Sequence, residues 1–211
     1  TYPIFTPKKG SIASIEGGMQ TLIDAVVSEI TKLENVTIIH DISAESPESI
    51  AKACQVGMES VLWTVPLGKD QSSSEISIYA IGYKQEQVSH IEKGYGILIP
   101  DTNLPISGIL HESDVHQSQR SPAGHRLFRL MVPHSRWDKD DSSVKKCAES
   151  LIAPNPEIFA KIGVREIPKY EPGHMSRMEK METPCSYAGW CYSGVSITHV
   201  VDESERIADL F

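Results

Sequence analysis

The chain contains neither a G-x-G-x-x-G run nor a P-loop of the G-x-x-x-x-G-K-[ST] type anywhere in its 211 residues. Such glycine loops lay backbone N–H groups against a pyrophosphate, so a complete dinucleotide or triphosphate site is not encoded here. Gly94-Tyr95-Gly96 lacks the third glycine and precedes a strand-like run. Basic residues are also scarce: 20 Lys and Arg against 28 Asp and Glu leave a formal charge of −8. The only adjacent basic pairs are Lys8-Lys9 and Lys145-Lys146. Phosphate affinity comes from clustered Lys and Arg, so no nucleic-acid partner is expected. No stretch approaches the roughly 18 apolar residues of a membrane-spanning helix.

Cysteine is sparse too. Cys54, Cys147, Cys185 and Cys191 are scattered without C-x-x-C spacing, as in a reduced, cytoplasmic protein. No signal-peptide pattern is present. The sequence opens Thr-Tyr-Pro-Ile-Phe-Thr without an initiator Met, and the expectation is a piece of a longer polypeptide. It shows no internal repeat and no low-complexity tract. The apolar fraction of 40% and charged fraction of 23% are those of an ordinary globular protein able to bury a core.

After Gly17-Gly18, residues Met19, Leu22, Ile23, Val26, Val27 and Ile30 repeat with helical spacing. The glycines either present free N–H groups to a ligand or form a flexible lead-in turn. Val36-Thr37-Ile38-Ile39-His40 is β-branched and predicts a strand. Weak helical character follows around Ser46 to Cys54, and Ser60 to Pro66 predicts a buried strand stopped by proline. Gly68 to Ser74 predicts a loop. Strands are expected at Glu75 to Ile81, Gly96 to Pro100, Ser107 to His111 and Arg126 to Val132. Asp140 to Leu151 predicts a charged surface helix, broken at Pro154-Asn155-Pro156. After Gly194, Ile197, Val200, Val201, Ile207, Ala208 and Phe211 fall on one helical stripe. The fold class is therefore α/β in the mixed α+β sense, with a mostly antiparallel or mixed sheet in the middle.

Candidate chemistry is thin. His111 and His116 sit on a strand and loop where their spacing gives no shared face, and no third ligand follows, so no metal is expected. Cys191 lies between Trp190 and Tyr192 without a G-x-S-x-G elbow, and packing is its expected role. His174 is an acid–base candidate only if a carboxylate folds beside it. The most informative stretch is Ile167 to His174 followed by Ala188 to Ser196. It predicts a short strand, a polar turn, then a glycine-bracketed loop feeding a helix, where missing Cβ atoms let a flat or anionic ligand approach.

These segments, in this order, resemble the C-terminal half of protoporphyrinogen oxidases, a family of the flavin amine-oxidase superfamily. "GGMQTL" stands intact at Gly17 to Leu22, "GFG-x-LVP" resembles Gly94 to Pro100, and "IPQY-x-x-GH" resembles Ile167 to His174. "AG-x-x-Y-x-GV" resembles Ala188 to Val195, and "T-x-P" resembles Thr64-Val65-Pro66. The resemblance implies FAD-dependent oxidation of protoporphyrinogen IX to protoporphyrin IX in heme biosynthesis. It places Gly189, Gly194, Val195, Ser196 and Val65 beside FAD, and Gly96, Leu98 and Leu130 beside a porphyrinogen substrate. It names no catalytic residue. By the same resemblance, residues 1–60 link the FAD and substrate regions, 61–165 form the substrate-binding sheet, and 166–211 close the FAD-binding domain. The parent protein would be cytoplasmic, with peripheral membrane association, and this chain alone inactive. Departures include the missing dinucleotide fingerprint and Ser204 where the family has glycine. Two further readings stand beside this one: another flavin amine oxidase, or a non-catalytic binding domain retaining the fold.

Overall fold

The computed structural model describes residues 4–5 (backbone only), 15–65, 73–116 and 120–210. In chain order the strands are β1 (Ile4–Phe5), β2 (Leu62–Trp63), β3 (Ser73–Lys84), β4 (Gly96–Leu98), β5 (Gly108–Leu110), β6 (His125–Pro133), β7 (Ile158–Pro168) and β8 (Ser186–Tyr187). The α-helices are α1 (Met19–Ile30), α2 (Pro47–Cys54), α3 (Glu112–Val115), α4 (Asp141–Leu151), α5 (His174–Glu179), α6 (Trp190–Ser193) and α7 (Ile197–Ala208). Contacts divide the chain into two units: Thr1–Thr37 with Ser74–Glu166, and Ile38–Ser73 with Ile167–Phe211.

The first unit is built on a sheet of order β1-β4-β5-β6-β3-β7. The pairs β1/β4, β4/β5, β5/β6 and β6/β3 are antiparallel. Residues directly opposite in such a ladder share a face. One face carries the rows Ile97–Ile109–Leu130–Tyr79 and Phe128–Ile81. Its central residues are fully buried and pack with Val144 and Ala148 of α4 in one core cluster. Each large apolar side chain so buried contributes about 1.5–3 kcal/mol. Asp140 caps α4 by accepting from the N–H groups of Ser142 and Ser143 at 3.0 and 3.1 Å. The helix expected to lie on the surface therefore buries one side.

The second unit pairs β2 with β8 in parallel, Leu62 opposite Ser186 and Trp63 opposite Tyr187. Ala51, Val61, Trp63, Cys185, Cys191 and Tyr192 form its core.

The fold class is mixed α and β, as expected from the pattern. Helices α1, α2, α4 and α7 fall where periodicity put them, and β3 and β6 extend the expected strands. Val36 to His40 is not a strand: it is exposed coil, with Ile39 65% exposed. β-branched residues form a strand only when a neighbour supplies the ladder, and none of the described strands pairs there. Pro66, the expected Gly68 to Ser72 loop and Phe211 lie outside the described residues; Ser73 and Ser74 belong to β3. β7 went unforeseen over most of its length.

Candidate functional site

The segments singled out in the sequence fall at one place in each unit. In the second unit, the carboxyl ends of β2 and β8 lead into the loops that carry Val65 and Gly189. The crevice beyond the carboxyl ends of parallel strands is where open α/β sheets bind ligands. Several bonds tie this end together. The Ala188 N–H donates to the Trp63 carbonyl at 3.1 Å, and the Tyr192 hydroxyl donates to the Val65 carbonyl at 2.5 Å. Val65 and Val195 keep their side chains exposed.

Gly189 and Gly194 bracket α6 with φ of 105° and 123°, backbone that strains any residue with a Cβ. At Gly194 a Cβ would also overlap the His199 imidazole. Ser196 caps α7 by accepting from the His199 N–H at 3.0 Å. From the other side, the Tyr170 hydroxyl donates to the Trp190 carbonyl, and the buried His174 holds the Cys191 carbonyl through Nε2 at 2.9 Å. The residues of the Ile167 to His174 motif thus grip the backbone of α6. His174 is taken up by that contact, and Cys191 packs in the core.

In the first unit, the face of the sheet opposite α4 carries the rows Leu98–Gly108–Met131–Ile78 and Gly96–Leu110–Arg129–Ala80. Ile158 joins them, because a Cβ on Gly82 would meet its Cγ2 at 2.5 Å. Alternation along β7 then puts Ile162 and Val164 on the same face. Leu98, Ile158, Ile162 and Val164 are all exposed. Glycine is required at position 96 by close approach: a Cβ would lie 2.5 Å from the Ile109 carbonyl oxygen. The result is an apolar surface on which the Leu110 and Leu98 side chains lie beside the buried Gly96 and Gly108, with Arg129 paired to Glu112 at 3.1 Å. The structure therefore brings Gly96 and Leu98 together and puts Leu130 on the other face, fully buried.

Sequence reasoning missed two polar constellations. Asp114 and Arg126 form a buried ion pair at 2.7 Å, and Arg126 also donates to the carbonyls of Val88 and Ile91 at 3.0 and 2.8 Å. His111 lies 3.3 Å from Asp114 and edge-on to Phe128. Burial pushes its pKa down, against the opposing pull of Asp114. The second constellation has the order of a hydrolytic triad: Ser77 Oγ stands 2.9 Å from His134 Nε2, and Glu75 3.0 Å from His134 Nδ1. Ser77 is fully buried, so no substrate carbonyl reaches its hydroxyl. Among the described residues, no three His, Cys, Asp or Glu side chains gather as a metal cluster.

No protein-family model and no curated protein matches this sequence. Among solved structures, it is similar to a protein provisionally named protoporphyrinogen oxidase from Exiguobacterium sp. 255-15 (TM-score 0.49, 15% identity, 77% of this chain and 38% of that one). It is also similar to reduced UDP-galactopyranose mutase (TM-score 0.52, 19% identity, 71% of this chain and 42% of that one). The chain spans less than half the length of either protein. The first likeness is too distant to carry an argument, and the second shows the fold alone, mixed α and β. No helix among the described residues is long and apolar enough to cross a membrane.

Proposed function

We propose that this chain is part of an FAD-dependent oxidase that converts protoporphyrinogen IX to protoporphyrin IX. The observation that carries the proposal is the apolar face of the first unit's sheet opposite α4. A porphyrinogen is a broad, mostly apolar disc with carboxylate edges. Such a ligand suits a surface of Leu98, Met131, Ile78 and Ile162 with one guanidinium, Arg129, set within it. Gly96 and Leu98 would lie against the substrate, with Leu130 bracing the strands from behind.

The residues of the second unit suit a flavin. Val65 and Gly189 follow the carboxyl ends of two parallel strands, and Gly194, Val195 and Ser196 come after α6. Gly189 carries no Cβ, so its backbone can come close to a flat ring or a phosphate, while the space beside Gly194 is taken by the His199 imidazole. When bound, FAD would supply the acceptor for the electrons removed from the porphyrinogen. The chain's own work is to orient the disc, to keep water from it with apolar side chains, and to hold the α6 loop in place. The dinucleotide fingerprint that these residues lack would come from another part of the parent polypeptide.

The test is a fluorescence assay of the whole reading frame that contains this chain, supplied with FAD and protoporphyrinogen IX. Protoporphyrin fluorescence should grow only when FAD is bound. A flavin-loaded protein that leaves protoporphyrinogen untouched would overturn the proposal. Coproporphyrinogen, run in parallel, distinguishes the two tetrapyrrole substrates. The chain of 211 residues alone should show no flavin absorbance and no turnover.

A further inference from the structure

Three of the chain's six methionines, Met175, Met178 and Met181, recur at every third position. A spacing of three puts Met175 and Met178 on one side of α5. Beyond the helix end, the Met181 N–H donates to the Met178 carbonyl at 3.2 Å, so the chain makes one further turn before it leaves the helix. The Thr183 hydroxyl then donates to the Cys185 carbonyl at 2.8 Å and bends the chain back. All three methionines and Cys185 consequently line one open cavity of about 580 Å³. Met178 and Met181 pack in part against the core of this unit, as methionine ordinarily does, and border this open space as well.

The remaining chemistry of the cavity is equally specific. Cys185 is a free thiol, 6% exposed. The rim holds Glu179, Glu203 and Arg206. Arg206 is engaged by Glu203 through Nε at 2.8 Å and Nη2 at 2.7 Å, which leaves the charge of Glu179 over. Hard cations need several oxygen or nitrogen donors, and the described residues gather no such group. Thioethers and thiolate select soft cations instead.

We infer that this cavity binds copper(I), held by the thioethers of Met175, Met178 and Met181 and by the thiolate of Cys185. The inference stands apart from the proposed oxidase activity. Binding breaks the Cys185 S–H bond, forms an S–Cu bond and releases one proton to solvent; no electron moves, because copper enters already reduced.

The test uses the full chain with Cys54→Ser and Cys147→Ser, which removes two other thiols. It is titrated anaerobically in ascorbate with copper(I) against the chromophoric chelator bicinchoninate. One copper per chain should bind, with one proton released. Met175→Leu, Met178→Leu and Met181→Leu combined conserve volume and should leave the urea midpoint nearly unchanged. They should nevertheless weaken copper(I) binding by roughly tenfold or more, as should Cys185→Ser. In protein carrying ¹³C-methyl methionine, silver(I) should shift the resonances of these three residues and leave those of Met19, Met58 and Met131 in place. Absence of stoichiometric uptake, undiminished uptake by the leucine variant, or equally tight zinc(II) binding would each overturn the inference.

Discussion

The Tyr170 ring lies parallel to the His174 imidazole, with 7° between their planes and 4.5 Å between centroids. The stack aligns two side chains that hold consecutive carbonyls of α6, those of Trp190 and Cys191. His174→Phe preserves the stack and deletes only the bond to Cys191. It should cost about 0.5–1.5 kcal/mol, the usual net contribution of one hydrogen bond. A urea titration followed by circular dichroism measures this, and an unchanged midpoint would remove the clamp from the account.

Gly194 is constrained twice, by its φ of 123° and by the His199 ring. Gly124 has a φ of 75° but no atom within 4 Å of where a Cβ would stand. Gly194→Ala should therefore destabilise the protein by more than Gly124→Ala, whose cost is about 1–2 kcal/mol from backbone strain alone. Adding His199→Ala should recover part of the difference. Strict additivity of the two changes would mean that the ring does not matter.

Removing Asp114 strands Arg126 in the interior of the first unit. Asp114→Ala should cost about 3–5 kcal/mol, the usual penalty for breaking a buried ion pair. Thermal unfolding would show it. A loss below about 1 kcal/mol would instead mark the pair as solvated like a surface bridge.

His111 makes the same region sensitive to acid. Its pKa is lowered in the folded state by burial, so the unfolded chain binds a proton more readily than the native one. Its contribution to stability is complete above the ordinary imidazole value of about 6.5 and is lost as pH falls through the lower folded value. His111→Gln should flatten the stability–pH curve in that window, measured as urea midpoints between the two values. A curve of unchanged slope would assign the acid sensitivity elsewhere.

Leu98 is 69% exposed on the open face of the sheet. Leu98→Glu should change stability by no more than about 0.5 kcal/mol, as surface substitutions usually do. It should nonetheless weaken protoporphyrin IX binding to this chain by roughly tenfold, since a charge is set against an apolar disc. Fluorescence titration decides it, and equal affinity would move the substrate off this face.

Much of this was legible in the residues. The stripe from Met19 to Ile30, the alternation in Glu75 to Ile81 and the capped run after Asp140 each carry a period that local geometry enforces. Gly189 and Gly194 announced a loop that only glycine tolerates. Other features depend on partners distant in sequence and left no local trace. Val36 to His40 has strand composition and no ladder to join. Leu130 resembles any other strand leucine until register sets it on the packed face, opposite Leu98. His111 to Asp114 is an ordinary polar turn until Arg126 folds against it. The contact of Tyr170 and His174 with α6 likewise appears only when two loops meet.

The two strands of the second unit are joined across more than half of the chain, since Trp63 pairs with Tyr187 and strands β3 to β7 lie between them in sequence. Closing so long a loop adds only modestly to the entropy cost, because that cost grows with the logarithm of length. The effect on timing is greater. During synthesis β2 emerges early and must wait, partnerless, until the ribosome has delivered β8 and the helices after it. The first unit, by contrast, has its full sheet once Pro168 is out. Folding from a nascent chain should thus run from the middle of this sequence outward, with the second unit completed only when translation has passed α7.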